Sequence, residues 1–280
     1  MGLNELRRLE SLLPLTPRMP ALFLGHGSPM NAIEDNEFVE GFRRMGASLP
    51  HEPAVVLCVS AHWETIGTKV TAMDVPETIH DFGGFPQALY DVQYPVNGHP
   101  RFAAALAQDM VTERIETDHT WGLDHGTWSV LRHVYPEANI PVVQLSLDRS
   151  MSPQAHWELG RQLGRLRERG VLIVGSGNVV HNLAKVAWSR MHDMDYGYDW
   201  ARDAADVIRN AILQGDDKAL TDAPLSNRAA MKLAIPTFEH YLPLLYVMGA
   251  RTPGESLQLF NDHAIGGSLY MTSVALGTEG

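Results

Sequence analysis

Residues 153–177 read PQAHWELGRQLGRLRERGVLIVGSG, and the fold class turns on them. Pro153 stands near the start, Leu159, Leu163 and Leu166 recur at i, i+4 and i+7, and Gly170 supplies the stop. That is a complete helix signature, predicting a helix from Pro153 to Arg169. The apolar, β-branched run Val171 to Gly175 follows at once and reads as a buried strand. A helix feeding directly into such a strand is the repeating unit of an α/β sheet.

The same alternation extends in both directions. Ala21 to Leu24, Ala54 to Ser60 and Val142 to Leu147 are further short strands, and Arg101 to Thr112 and Asp199 to Leu213 carry helical periodicity. Thr237 is expected to cap a helix running through HYLPLLYVMGA, with Pro243 tolerated in its first turn. Glu255 to Phe260 and Ser268 to Leu276 alternate as closing strands. No repeat, low-complexity tract or Pro/Gly/Ser-rich linker divides the chain, so the expectation is one α/β domain, its central, mostly parallel sheet flanked by helices.

Composition removes several function classes. The 280 residues include 22 Lys+Arg against 33 Asp+Glu, a net charge of −11, and no stretch gathers basic residues into a stripe that would displace counterions from nucleic acid. Apolar runs such as Ala54 to Ser60 fall far short of the roughly 18 residues of a membrane span. The N-terminal MGLNELRRLESLLPLTPR lacks an uninterrupted apolar core, so it reads as a short surface helix or arm and the expected location is the cytoplasm. The single cysteine, Cys58, sits in AVVLCVSA and is expected to be a buried, inert thiol.

Thirteen histidines remain, and position separates them. His26 follows the strand ALFL, His62 follows AVVLCVS, His181 lies in the turn GNVVHN after VLIVGSG, and His240 lies in the first turn of the expected capped helix. Ligand sites of open α/β sheets form outside the carboxyl ends of strands, so these four can converge on one crevice. Neutral imidazoles suit iron or zinc, and a non-haem iron or zinc site is the sharp reading; for any one histidine, a plain structural role is the commoner case. Gly25, Gly27, Gly175 and Gly177 beside them permit close backbone approach.

His125, in the loop WGLDHGTW beside Asp124, reads as a second-sphere hydrogen-bond donor. His51, His99, His119, His133, His156, His192 and His263 lack such context and are expected at the surface. Residues 80–95, HDFGGFPQALYDVQYP, form a long Gly- and Pro-rich loop whose Phe82, Phe85, Tyr90 and Tyr94 suit the wall of a pocket for a flat ring. Tyr241, next to His240, joins Phe82, Phe85 and Tyr90 as an expected substrate contact. G-x-S-x-G, Walker A, GxGxxG, HExxH and CxxC are all missing, which lowers serine hydrolases, nucleotide hydrolases and Rossmann dehydrogenases.

Seven strings in order, LFLGHGSPMN (22–31), VSAHW (59–63), TIHDFGGFPQALYDVQYP (78–95), WGLDHGTW (121–128), PVVQLSLD (141–148), GSGNVVHNL (175–183) and EHYLPLLYVMGA (239–250), resemble the class III extradiol ring-cleaving dioxygenases, in their DOPA 4,5-dioxygenase branch. The resemblance spans Pro20 to Leu276 and implies a catalytic domain over 20–280 behind an N-terminal extension, 1–19. It implies one non-haem Fe(II) per chain, with zinc possible in the same site. His26, His62 and His240 match the ligands, and His181 matches the acid/base position and closes on the metal when zinc is bound. His125 then hydrogen-bonds bound oxygen or a substrate hydroxyl. More distant members use a Glu ligand; here Glu239 and His240 are adjacent and expected to point different ways on a helix, which makes His240 the ligand. The implied partners are O2 and a small aromatic diol such as L-DOPA, cleaved to a muconic semialdehyde, by a monomer or small homo-oligomer. A zinc hydrolase, or a non-catalytic metal- or small-molecule-binding protein on the same scaffold, stands as the alternative.

Overall fold

A computed structural model describes residues 7–110 and 114–278. The strands are β1 (Ala21–Gly25), β2 (Val55–Thr65), β3 (Thr68–Thr71), β4 (Ile115–Asp118), β5 (Val142–Asp148), β6 (Val171–Gly177), β7 (Leu257–Phe260), β8 (Ala264–Ile265), β9 (Leu269–Tyr270) and β10 (Ser273–Leu276). The helices are α1 (Arg7–Leu12), α2 (Glu37–Ser48), α3 (Gln87–Tyr90), α4 (Pro100–Asp109), α5 (His125–Val134), α6 (Pro153–Leu163), α7 (Asp199–Gln214), α8 (Asp217–Asp222), α9 (Ala229–Ala234) and α10 (Leu242–Gly249).

One sheet has the order β4-β3-β5-β2-β6-β1-β10-β7. Its centre, β5-β2-β6-β1, is parallel throughout, and β10 and β7 extend it antiparallel. Parallel strands need both faces covered, and their residues show it. Val55, Leu57 and Val59 pack with Ala21, Phe23, Val171 and Ile173 under α1, α4, α6, α7 and α10. Val56 and Cys58 point the other way, with Leu22, Leu24, Leu172 and Val174 under α2 and α5. The period of two thus builds two cores from one sheet, each fully buried aliphatic side chain contributing about 1.5–3 kcal/mol. Cys58 is buried, with its thiol pushed up to about 12 by burial.

Several boundaries differ from the sequence reading. The Pro153 helix passes into a tighter 3-10 turn at Gly164–Arg169, and Gly170 terminates it at φ 74°. The expected helix end at Thr112 lies outside the described residues, as do residues 1–6 of the N-terminal segment. That segment is more than a surface arm: Leu9 and Leu13 are buried in the core, and Asp109 accepts the Arg8 and Leu9 N–H groups at 3.0 Å each. Strand β2 continues five residues beyond Ser60, with a register irregularity between Val59 and Glu64. Ser268 to Leu276 is two strands, not one. Thr237 caps no helix; α10 begins at Leu242, because Pro243 lacks an N–H and its ring clashes with the carbonyl four residues back, at Glu239. Among the described residues no helix is long and apolar enough to cross a membrane.

Candidate metal centre

The carboxyl ends of the central strands carry the chemistry. His26 follows β1, and its N–H donates to Gly177 O at the end of β6 at 3.0 Å. His62 stands on β2 itself, at the irregular stretch, where the ladder to β5 is interrupted. His181 is held after β6 by its N–H donating to Ala234 O at 2.8 Å. His240 lies in the turn before α10, and the Asn178 N–H donates to its carbonyl at 2.8 Å. Gly177 is what lets β6 reach that turn: a Cβ there would lie 2.1 Å from His240 O. His125 is not in a loop but is the first residue of α5, capped by the Asp124 carboxylate.

All five imidazoles meet. Ring centroids are 5.0 Å apart for His26–His62, 5.3 Å for His26–His240 and 5.0 Å for His62–His240, a nearly equilateral triangle. His125 lies 3.9 Å from His62 and 5.9 Å from His26, and His181 stacks on His240 at 3.5 Å. Two groups have ligand atoms close enough to share an ion: His26, His62 and His125, and His181, Glu239 and His240. The His26 and His62 Nε2 atoms are 3.3 Å apart. Two nitrogens bound at 2.0–2.1 Å across a tetrahedral angle would be separated by about 3.4 Å, so this pair fits a metal as it stands, while the ligand atoms of His240 are grouped with those of His181 and Glu239.

The outer nitrogens fix the tautomers. The Ser176 hydroxyl donates to Gly126 O, so its oxygen accepts from His26 Nδ1–H at 2.9 Å. His240 Nδ1–H donates to Glu239 Oε1 at 3.1 Å. Glu239 and His240 therefore do not point apart, because they precede the helix instead of riding on it. His125 Nδ1–H donates to Asp81 Oδ2 at 2.9 Å, the His125 N–H donates to Oδ1 at 2.8 Å, and His62 Nδ1 is 3.6 Å from Oδ2. With Nδ1 protonated, His26, His125 and His240 each keep a free Nε2 lone pair. His125 is thus an acceptor toward the site in its neutral form, where the sequence suggested a donor.

Burial first, and then the neighbouring imidazoles, hold His26 and His240 well below the usual histidine range. Burial, with His125, lowers His62 to about 3 against the opposing pull of Asp81. Burial lowers His181 to about 4. Burial raises Asp81, but the His125 hydrogen bond and charge outweigh it, and its carboxyl falls below the usual range. His26, His62, His181 and His240 are free bases beside a carboxylate, able to take a divalent cation without first releasing protons.

The expected substrate residues divide. Phe82 packs edge-on to His125 at 5.5 Å, with Phe85 at 5.4 Å and Tyr90 at 5.2 Å beyond it. A cavity of about 450 Å³ adjoins, lined by Ser28, Asn31, Phe38, Phe85, Trp188 and Met191 among others, and Asn31 Nδ2 donates to His26 O at 2.9 Å. Tyr241 is turned away: it is 1% exposed in the core, and its hydroxyl donates to Leu220 O at 3.0 Å. Tyr94 is likewise buried, donating to Tyr135 O at 2.9 Å. His156, expected at the surface, is fully buried against the Tyr246 hydroxyl at 2.9 Å. Asp81 is not legible in the sequence, its adjacency to Phe82 in the long loop being the available signal; Ser176 lies near a histidine in sequence but lacks a nucleophile elbow, and its place is as the partner of His26 Nδ1.

Residues 19–214 match the family described as the catalytic LigB subunit of aromatic ring-opening dioxygenase. The chain belongs to the class III extradiol dioxygenases. It is 46% identical to an Escherichia coli (strain K12) protein named 4,5-DOPA dioxygenase extradiol, over 96% of this chain and 98% of that one. It is 35% identical to a Beta vulgaris protein of the same name, over 88% and 91%. A crystal structure of an uncharacterized protein from Escherichia coli K12, 40% identical, superposes with a TM-score of 0.80 over 93% of this chain and 100% of that one. As an extradiol dioxygenase, the protein is an enzyme that opens aromatic rings, and the hydrolase and binding-protein alternatives fall away.

Proposed function

We propose that this extradiol dioxygenase cleaves a catechol of the L-DOPA type with O2, beside its hydroxyl pair, to a muconic semialdehyde. It would work in the cytoplasm with one Fe(II), which His26, His62 and His240 would hold. When bound, Fe(II) would supply Lewis acidity and the one-electron redox chemistry that lets a catechol react with O2; Zn(II) suits the same nitrogens but has no redox chemistry.

The protein's own groups handle position and protons. His181, a free base, takes the proton from one catechol hydroxyl at an imidazole nitrogen and returns it to the oxygen that leaves as the ring opens. His125 accepts from the second hydroxyl at Nε2, its ring fixed by Asp81. Phe82, at the edge of His125, stacks against the substrate ring, and Phe85 and Tyr90 back it. The departing oxygen returns as the water that hydrolyses the ring-expanded lactone, so both oxygen atoms of O2 enter the product.

The observation that carries this reading is the convergence of five imidazoles, three with Nδ1 anchored outward. Oxygen uptake tests it, with spectra recorded in parallel after anaerobic Fe(II) loading and addition of L-DOPA, caffeic acid or protocatechuate. Stoichiometric uptake with a yellow product is expected in the iron sample and none in a zinc-loaded control. One tightly bound iron per chain without uptake on any catechol would overturn it.

A further inference from the structure

Behind the histidines lies a buried polar cluster with no part in the chemistry above. Ser60 on β2, Asp124 at the cap of α5 and Gln144 on β5 are each fully buried. Ser60 Oγ donates to Asp124 Oδ1 at 2.6 Å, the Thr127 N–H donates to the same oxygen at 3.1 Å, and Gln144 Nε2 donates to Oδ2. Gln144 Oε1 in turn accepts from the Thr127 hydroxyl at 2.8 Å and the Asp124 N–H at 3.3 Å. No Lys or Arg side chain is among these partners, so the cluster is held by matched donors and acceptors alone, in which one wrong group leaves buried polar atoms unpaired.

Its contacts lead to three of the five histidines. Ser60 Oγ accepts from the His62 N–H at 3.3 Å. Asp124 is bonded in the chain to His125 and fixes the helix start that carries it. Gly126, one residue on, accepts at its carbonyl from the Ser176 hydroxyl that receives His26 Nδ1–H. There is no slack at this point: a Cβ on Gly126 would lie 2.5 Å from Ser60 Oγ and 2.8 Å from His62 Cδ2.

We infer that Asp124 is a positioning residue, setting the mutual placement of His26, His62 and His125 through the turn 124–127 and its reciprocal bonds to Ser60 and Gln144. The inference rests on the metal-centre reading above. An acceptor is needed at both oxygens because every group facing them donates. Asp124→Asn turns an NH2 either against the Gln144 NH2 or, with the amide flipped, against the Thr127 N–H. If Gln144 turns over to accept, its own NH2 faces the Thr127 hydroxyl and the residue-124 N–H.

That logic supplies the test. Asp124→Asn should weaken metal binding about tenfold or more, the range for loss of an outer hydrogen-bond partner. Asp124→Asn/Gln144→Glu swaps donor and acceptor across the pair and should restore most of the loss. Co(II) is the probe, with affinity measured by competition and the visible ligand-field spectrum recorded, beside the melting temperature of the metal-free proteins. Expected are an altered Co(II) spectrum in the single variant and its recovery in the double. Ser60→Ala, which breaks only the link to β2, should give a smaller change of the same kind. A single variant with wild-type Co(II) affinity and spectrum, whatever its melting temperature, overturns the inference; so does a folded double variant with no recovery. If Asp124→Asn does not fold, Ser60→Ala decides alone, and an unchanged Co(II) spectrum there overturns it. None of these readouts requires catechol turnover, so they stand apart from any failure of the substrate reading.

Discussion

The imidazoles of His181 and His240 lie face to face, with centroids 3.5 Å apart and 7° between their planes. Two imidazolium rings repel in that arrangement, so the stack belongs to neutral bases, as their burial requires. The two differ in anchorage: His240 is tied through Nδ1 to Glu239, whereas His181 is held through its backbone.

That difference predicts a split between binding and turnover. His240→Ala should lose bound metal outright. His181→Ala should keep metal within about twofold while kcat falls by about 10²–10⁴, the usual worth of a general acid–base. Metal content by elemental analysis, read beside steady-state oxygen uptake, checks both. Equal metal loss in the two variants would put His181 among the obligatory ligands instead.

Asp81 binds His125 twice, once at the ring Nδ1–H and once at the main-chain N–H, and carries Phe82 next to it. Asp81→Asn keeps the shape but turns one oxygen into a donor, which cannot receive both N–H groups. A fall in kcat/KM of about 10–100-fold is expected, as for other carboxylates that orient a functional histidine. Unchanged kinetics in the folded variant would count against a role for His125 in turnover.

Much of this was legible beforehand because it follows from local rules. A continuous β-branched run marked Val171–Gly175 of the strand that extends to Gly177, a period of 3.6 marked Pro153–Arg169, of which Pro153–Leu163 is α-helical, and strand ends marked His26 and His181. What escaped depended on partners distant in sequence. Asp81 and His125 are 44 residues apart, and Ser176 and His26 are 150. Tyr241 was misplaced because adjacency to His240 says nothing about facing: the residue turns inward as the chain enters α10. His156 was misread because its partner, Tyr246, lies 90 residues on, and without that partner a helix histidine looks like a surface one.

His156 makes stability fall with acid. Burial lowers it to about 4, against about 6.5 in an unfolded chain. Above pH 6.5 both states are neutral and the native protein keeps its full stability. As pH drops from 6.5 toward 4 the unfolded state takes up the proton and the native state does not, so unfolding free energy should decline, by up to about 3 kcal/mol from this residue. Urea unfolding of the metal-free protein at pH 7, 6 and 5 measures it. His156→Gln should flatten the slope, and a slope identical to wild type would assign the acid sensitivity elsewhere.

Phe82 and Tyr241 allow the pocket to be separated from the core. Phe82 is half-buried against the His125 ring, so if it stacks on the substrate as proposed, Phe82→Ala removes a ring contact worth about 1 kcal/mol. KM for the catechol should rise about five- to tenfold, with a small change in melting temperature. Tyr241 makes the opposite trade. Tyr241→Phe leaves the Leu220 carbonyl without its buried donor, at a cost of about 1–3 kcal/mol in unfolding free energy. Its KM should stay at the wild-type value, since the hydroxyl points away from the histidines. A raised KM in Tyr241→Phe, or an unaltered one in Phe82→Ala, would mean that the ring enters from the α10 side and not past the 80–95 loop.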